Sequence, residues 1–305
     1  MDIAIMLEGQ NGLNWPNFKR IARAVEDLGF AGLYRSDHFT NADPPDQDSL
    51  ELWASLVWLA GNTSRIEFGP LVTPVSFRDP VFTARVAKDV DDLSGGRLHL
   101  GVGAGWQERE HQMFGYSLDR RMDRFEEGLE VIALLLGSDK PVDYDGEYFE
   151  LHQAILLPRP TRPGGPPILI GGNGEKRTLT LVSRYADMWN GVYITAQRFG
   201  ELNKALNGYL EAERRPPEDV HRSLMTGLVF GQDEADLKRK LESRGRTAEA
   251  LRQSGMIVGT ANQVVDQLGE YTEAGLQRVM LQWLDPDDID GLEALARGVL
   301  PQLGT

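Results

Sequence analysis

One short turn in the sequence has the residue types that suit an anion. Gly171, Gly172, Asn173 and Gly174 follow a buried apolar run and precede a helical pattern. Glycines let backbone N–H groups approach a ligand closely, and the unpaired N–H groups at a helix start attract negative charge. Lys176 and Arg177 then add two cationic side chains. The residues alone leave two interpretations open, an anion-binding turn and a tight turn without a ligand.

A histidine that follows the second predicted strand could move a proton. Asp37 and His38 come directly after the run 31–36. The ordinary pKa of histidine is near 6.5, so an imidazole at this place can donate or accept a proton near neutral pH. Glu110 and His111 lie on a predicted loop and could line the same pocket. The sequence has no His-x-His or His-x-x-x-His pair, which disfavours a metal hydrolase and predicts no metal.

Three glycines alternate at the end of the fourth predicted strand. Gly101, Gly103 and Gly105 lack the spacing of a dinucleotide fingerprint. Alternation of this kind is typical of a strand end where a flat ligand lies against bare backbone. The segment is therefore a weak candidate for part of a ligand site.

These residues need elements that bring them together, and the hydrophobic pattern predicts eight strands that alternate with helices. Strands are predicted at 2–7, 31–36, 65–72, 97–103, 167–171, 187–193, 224–230 and 277–284. Helices are predicted from Asn14 to Gly29, at 49–61, 79–93, 120–136, 174–185, 196–213 and 233–253, and from Thr260 onward. Eight βα units in about 300 residues favour a (β/α)8 TIM barrel, whose active site lies at the C-terminal ends of the strands.

Residues 138–166 do not fit the repeat. Two alternating stretches surround Asp145-Gly146, which is a hairpin signal, and a proline-rich segment follows. We interpret this segment as a small β-hairpin insertion at the C-terminal mouth of the barrel, and as a candidate lid. Residues 1–305 are then one domain.

Composition narrows the function classes. The 305 residues carry 32 Lys and Arg against 46 Asp and Glu, a formal charge of −14, which predicts no nucleic-acid partner and no anionic membrane partner. The absence of cysteine excludes disulfides and thiolate chemistry. No stretch resembles a signal peptide or a membrane span, so the sequence predicts a cytoplasmic protein.

Taken in order, the turn motifs resemble one family. They are Gly32-Leu33-Tyr34-Arg35-Ser36-Asp37-His38-Phe39, the run 69–78, the run 93–111, Pro167-Ile168-Leu169-Ile170-Gly171-Gly172-Asn173-Gly174, Tyr185-Ala186-Asp187-Met188-Trp189-Asn190 and Val258-Gly259-Thr260. Over nearly its whole length the chain resembles the luciferase-like monooxygenase superfamily, and in particular its probable F420-dependent oxidoreductases. The resemblance implies a homodimer of barrels that each hold coenzyme F420, a deazaflavin, or alternatively FMN.

The resemblance also implies roles for residues of the second and third turns. His38 would lie near the reactive ring, and Asp37 would form a hydrogen bond with the cofactor. The third turn, with Pro70, Leu71 and Thr73, would lie against the cofactor, with a non-proline cis peptide at Pro70–Leu71.

The fourth and fifth turns would hold the rest of the cofactor. Gly103, Ala104 and Gly105 would lie along the ring and ribityl chain, with Arg109 close by. The turn 171–174 would hold the phosphate, with Lys176 as a local cation, in agreement with the anion-binding interpretation.

One departure from the family concerns the proton donor. Trp106 stands where related sugar-phosphate dehydrogenases have a glutamate, so that role is not transferred and a sugar-phosphate substrate is disfavoured. Glu8, at the end of the first strand, is the substitute that we consider.

The sequence thus predicts an oxidoreductase that transfers a hydride between coenzyme F420 and a small organic substrate that it does not identify. One alternative is an FMN-dependent two-component monooxygenase with a flavin reductase as partner. Another is a non-catalytic flavin- or deazaflavin-binding protein.

Overall fold

The apolar runs form parallel strands, each covered on its outer side by helices, in a computed structural model that describes residues 1–303. The strands are β1 Asp2–Leu7, β2 Gly32–Arg35, β3 Glu67–Pro70, β4 Thr73–Pro74, β5 Leu100–Gly103, β6 Val142–Asp145, β7 Glu150–Ala154, β8 Ile168–Gly171, β9 Met188–Val192, β10 His221–Phe230, β11 Ile257–Gly259 and β12 Arg278–Gln282. The α-helices are α1 Trp15–Leu28, α2 Leu52–Asn62, α3 Pro80–Ser94, α4 Glu108–Phe114, α5 Arg121–Gly137, α6 Thr178–Tyr185, α7 Ala196–Ala212, α8 Glu234–Arg244, α9 Ala248–Gln253, α10 Ala261–Glu273 and α11 Ile289–Val299.

The strand order is that of a barrel. Parallel neighbours follow one another as β3-β2-β1-β12-β10-β9-β8-β5-β4, and β11 pairs with the outer part of β10. The strands β3 and β4 are two halves of one barrel position, and Phe68 of β3 also bridges to Leu98 just before β5. The sheet therefore nearly closes on itself, and the predicted (β/α)8 barrel is confirmed.

Alternation along β1 separates two apolar cores. Ile3, Ile5 and Leu7 pack in the large core between the sheet and the helices, whereas Ala4 and Met6 pack in a smaller core inside the barrel. Because successive side chains of a strand point to opposite faces, the next even-numbered residue, Glu8, continues the inward row.

Local signals set the ends of two predicted helices. The side chain of Asn14 accepts a hydrogen bond from the backbone of Asn17 at the start of α1, and Gly29 ends that helix at a φ of +91°. Thr260 and Gln263 form the predicted capping box at the start of α10.

Several element predictions are wrong in detail. The predicted helix 233–253 is two helices, because Gly245 takes a left-handed φ of +60° and ends α8. The predicted loop after Trp106 contains the helix α4. The helix after the turn 171–174 begins only at Thr178, so Lys176 and Arg177 precede its first turn.

The cis peptide of the third turn lies one bond later than predicted. It is Leu71–Val72, not Pro70–Leu71. The backbone N–H of Leu71 still donates to the carbonyl of Arg35 at 2.7 Å, so the strand pairing of β3 continues through Pro70–Leu71 and the backbone departs from it after Leu71.

The insertion forms the predicted antiparallel hairpin of β6 and β7. It lies along α5 on the outside of the barrel, where the Tyr144 hydroxyl donates to Glu130 at 2.6 Å. The Glu127 carboxylate accepts the backbone N–H groups of Glu147 and Tyr148, each at 2.8 Å, at the hairpin tip. Among residues 1–303, no helix has the length and apolarity to cross a membrane.

Candidate active site

A cavity of about 510 Å³ opens at the C-terminal ends of the barrel strands. Its walls are mainly apolar, with Met6, Leu71, Val72 and Met225 among them, and its rim carries Trp106. A mostly apolar cavity with a few polar groups, at this end of such a barrel, is where an active site is expected.

The structure brings about half of the predicted site residues to this cavity. The residues that line it are Glu8, His38, Leu71, Gly103, Ala104, Gly105, Gly171 and Gly172. The predicted residues that are not part of its lining are Asp37, Pro70, Thr73, Arg109, Asn173, Gly174 and Lys176.

His38 is held by a buried carboxylate from α4. Its Nδ1 lies 2.9 Å from Oε1 of Glu110, whose side chain is 1% exposed, and the His38 side chain is 15% exposed. The indole of Trp106 packs edge-on against the imidazole, with ring centroids 5.6 Å apart. Burial alone would lower the pKa of His38, but the hydrogen bond and charge of Glu110 outweigh it and raise that pKa.

Asp37 and Thr73, both predicted to bind the cofactor, form a hydrogen bond with each other, and Asp37 also binds Arg78. Arg78 binds both oxygens of the Asp37 carboxylate, at 2.7 and 2.9 Å, and the Thr73 hydroxyl donates to it at 2.7 Å. Asp37 and Thr73 are both buried. This bidentate pair connects the second turn, which bears His38, with the third turn.

Glu8 belongs to a connected row of polar groups on the cavity wall. Its carboxylate accepts hydrogen bonds from Gln10 at 2.9 Å and from Gln282 at 2.5 Å. The Tyr193 hydroxyl donates to Gln282, and burial followed by the charge of Glu8 raises the pKa of Tyr193 to about 12. The row therefore contains one carboxylate and one neutral phenol that can contact a ligand oxygen or N–H.

The alternating glycines have a reason other than a flat ligand. A Cβ at Gly101 would lie 2.1 Å from the carbonyl oxygen of Pro70, and one at Gly103 would lie 2.6 Å from Cγ2 of Val72. The glycines make room for the protein's own third turn. Gly103 and Gly105 still expose backbone to the cavity.

The turn 171–174 presents backbone groups rather than side chains to the cavity. Gly172 has a φ of +131°, which side chains rarely adopt, and its backbone lines the cavity. The Asn173 amide accepts from the backbone N–H of Val192 at 2.9 Å and donates to the Val192 carbonyl at 2.7 Å. Asn173 therefore joins β9 to the turn through its side-chain amide.

Two of the predicted cations are neutralised by the protein. Arg177 lies 2.7 Å from Asp123 of α5, and Arg109 forms a bidentate pair with Asp46, both bonds at 2.7 Å. Arg121 at the start of α5 lines the cavity, and no ion pair involves its side chain among residues 1–303. Among residues 1–303, Arg121 is the only lysine or arginine that lines the cavity.

Gln10, Gln282 and Arg121 are site residues that the sequence interpretation missed. Gln282 ends β12, so a search of every strand end would have found it. The position of Arg121 depends on how α5 meets the barrel, and no local pattern indicates that.

Comparisons with known proteins agree with this geometry. The family model for luciferase-like monooxygenases matches residues 1–249. A phthiodiolone/phenolphthiodiolone dimycocerosates ketoreductase from Mycobacterium kansasii is 31% identical over 81% of this chain and 67% of its own. An F420-dependent glucose-6-phosphate dehydrogenase from Kineococcus radiotolerans is 30% identical over 69% of this chain and 63% of its own.

A solved structure has the same fold. It is an F420-dependent secondary alcohol dehydrogenase in complex with an F420-acetone adduct, with a TM-score of 0.85, 19% identity, and 98% of each chain covered. At that identity the likeness shows the fold alone, whereas the family model covers most of the sequence. The chain belongs to the luciferase-like monooxygenase family of enzymes.

Proposed function

We propose that this enzyme is an oxidoreductase that transfers a hydride between coenzyme F420 and a small carbonyl or alcohol substrate. The observation that carries the proposal is the pairing of His38 with the buried Glu110 carboxylate beside an apolar cavity at the barrel mouth. Two of the relatives above are F420-dependent by name, which favours this coenzyme over FMN.

The cavity fits a flat polar ring with an anionic tail. Backbone of Gly103, Gly105 and Gly172 faces it, and Arg121 offers an unpaired cation at its rim. Asn190 also lines it, and the buried Oδ1 of that side chain has no hydrogen-bond partner among the described residues. A buried acceptor without a partner is costly, and a ligand N–H could supply the missing bond.

F420 would supply or accept the hydride, and the residues of this chain would manage the proton and the orientation. His38 would give a proton to the substrate oxygen during reduction and take it back during oxidation. The polar row around Glu8 would orient the substrate, and the apolar walls would exclude water from the reacting atoms.

The substrate class follows from the proton chemistry and the names of two relatives. One is a ketoreductase and the other a secondary alcohol dehydrogenase. Interconversion of a ketone and a secondary alcohol moves one hydride and one proton, and the imidazole of His38 can give or take that proton.

The same proposal includes three further parts: a single barrel domain spanning residues 1–305, a homodimer and a cytoplasmic location.

Binding experiments test the coenzyme. We expect oxidised F420 to quench the tryptophan fluorescence of the protein and to bind at least about tenfold, or ~1.4 kcal/mol, more tightly than FMN. Trp106→Phe should reduce the quenching because that indole lies on the cavity rim. F420 reduction is then assayed with a panel of secondary alcohols, and oxidation of reduced F420 with the matching ketones.

Each other outcome supports a different function. Tighter binding of FMN, with turnover only when a flavin reductase and oxygen are added, would support the two-component monooxygenase. Tight F420 binding without turnover of any alcohol or ketone would support a non-catalytic coenzyme-binding protein.

A further inference from the structure

The carboxylate of Glu110 is buried, and no lysine or arginine of residues 1–303 forms an ion pair with it. Both oxygens are used, Oε1 by His38 Nδ1 at 2.9 Å and Oε2 by the backbone N–H of Phe39 at 3.0 Å. Of the ion pairs formed within residues 1–303, the one that includes Glu110 has His38 as its partner. Burying an anion without a compensating cation is costly, so this carboxylate favours a proton on the imidazole.

This contact also fixes the orientation of the imidazole. A carboxylate accepts hydrogen bonds and cannot donate, so the Nδ1–H of His38 must point at Glu110. The edge of Trp106 packs against the ring and opposes its rotation. Nε2 is therefore the nitrogen that is left for the cavity that His38 lines.

The other charged groups around His38 act in the same direction. Glu8 and Asp37 lie close enough to favour its protonated form, although Asp37 is already paired with Arg78. Burial opposes these charges but does not outweigh them, and the pKa of His38 is raised above its usual value. The contact with the buried Glu110 carboxylate thus favours the protonated form of the imidazole.

We propose that Glu110 is a positioning residue that keeps His38 protonated, with its Nε2–H toward the substrate oxygen, so that the pair acts as the proton donor of the proposed reduction. This inference rests on the proposed function. In the reduction, reduced F420 would supply the hydride that forms a C–H bond at the carbonyl carbon while the C=O π bond breaks. The carbonyl oxygen takes the Nε2 proton, which leaves neutral His38 still bonded to Glu110 through Nδ1–H.

The main test is Glu110→Gln, which preserves size and can still accept from the N–H of Phe39. Glu108→Gln is the matched control, because Glu108 lies on the same helix and contacts Gln112 instead. Glu110→Asp tests rescue of the charge. The first readout is an NMR pH titration of the imidazole nitrogens in coenzyme-free protein, with the His38 signals identified by their absence in His38→Asn.

We expect the His38 pKa to fall by about one unit or more in Glu110→Gln, a change worth ~1.4 kcal/mol, and to stay at the wild-type value in Glu108→Gln. We expect partial recovery in Glu110→Asp. An unchanged His38 pKa in Glu110→Gln overturns the inference, whether or not the protein binds F420.

The second readout is the pH profile of ketone reduction by reduced F420. Loss of the proton from His38 ends the activity as the pH rises, so in Glu110→Gln the alkaline limb should move to lower pH with little change in KM. A uniform loss of activity at every pH would overturn the inference, because that is the result of a merely structural defect. Failure of the wild type to bind F420 would count against the proposed function, and the NMR titration would still decide the role of Glu110.

Discussion

In this acidic chain, an anionic coenzyme would need a lysine or arginine that is not already paired with a carboxylate. Of the arginines predicted to lie near the cofactor, Arg177 is occupied by Asp123 and Glu126, and Arg109 is occupied by Asp46. Arg121 lines the same cavity as Gly171 and is unpaired within the described chain. Closeness in sequence to the glycine turn therefore does not tell which cationic side chain lines the cavity.

We expect Arg121→Gln to weaken F420 binding about fivefold, or ~1 kcal/mol, because an exposed charge contributes little more than that. The matched control is Arg177→Gln, whose guanidinium is already neutralised, and it should change affinity by less than about twofold. The measurement is fluorescence titration with F420 and with its phosphate-free deazaflavin riboside. Equal losses for both ligands in Arg121→Gln would contradict a contact between Arg121 and the phosphate.

Several of the residues that line the cavity were predictable from the sequence, and the reason is geometric. Glu8, His38, Gly103 and Gly171 lie at or just beyond strand ends, and in a parallel barrel all strand ends meet at one mouth. Whether a residue at that mouth faces the ligand or the protein is decided by its tertiary partner. For Asp37 that partner is Arg78, and a pairing of this range leaves no local signal.

At the scale of elements, the sequence pattern predicts the hairpin correctly, but it does not establish that the hairpin is a lid. Alternation around Asp145-Gly146 predicts β6 and β7, but the pattern does not say which surface they cover. The hairpin packs on α5 through Tyr144 and Glu130, and none of its residues lines the cavity. The structure thus gives no support to a lid at this place.

Glu127 offers a direct test of the hairpin. Its carboxylate accepts the N–H groups of Glu147, Tyr148 and Phe149. We expect Glu127→Ala to lower the free energy of unfolding by about 1–3 kcal/mol and to speed hydrogen exchange in residues 142–154, because these donors lose a charged acceptor. The F420 affinity should not change.

Glu126→Ala is the control for that substitution. Glu126 lies beside it on α5, but it pairs with exposed arginines and should contribute less than about 1 kcal/mol. A parallel loss of F420 affinity in Glu127→Ala would contradict our interpretation and restore the hairpin as a lid.

Two element boundaries differ from the prediction for different reasons. The break between α8 and α9 has local signals that the predicted single helix overlooked, because Gly245 ends α8 and the Thr247 side chain caps α9. The short strand β11 is defined by its pairing with the C-terminal residues of β10, so the local sequence pattern does not predict it.

At the scale of the whole molecule, the two ends of the barrel have different tasks. Opposite the cavity, Arg278 of the last strand binds Asp2 of the first at 2.9 Å and the Tyr34 hydroxyl of β2 at 2.9 Å. It also pairs with Glu67 of β3 at 2.6 Å, while Tyr34 contacts His99 Nδ1 at 2.6 Å. This network joins the first and last strands of the barrel, and such contacts at the N-terminal face of a barrel serve stability.

The same network should make the fold sensitive to acid. Burial, followed by the charge of Arg278, lowers the pKa of His99 to about 3 and that of His221 to about 4. In the unfolded chain both histidines take up protons near pH 6.5. Between about pH 6.5 and pH 4 the unfolded state therefore binds more protons, and the free energy of unfolding should fall as the pH falls.

The slope of this loss can be measured and assigned. Urea unfolding from pH 7.5 to pH 4.5 should show a decline that approaches ~1.4 kcal/mol per pH unit for each histidine. His99→Gln should make that slope shallower by up to one proton, whereas His152→Gln, on the exposed surface of the hairpin, should leave it unchanged.

The effect of His38 on stability has the opposite sign: its raised pKa adds stability below pH 6.5 that is lost as the pH rises through the folded-state value. Stability that stays flat from pH 6.5 to pH 4.5 would show that His99 and His221 gain their protons without unfolding, and that the polar network at this end of the barrel tolerates a buried positive charge.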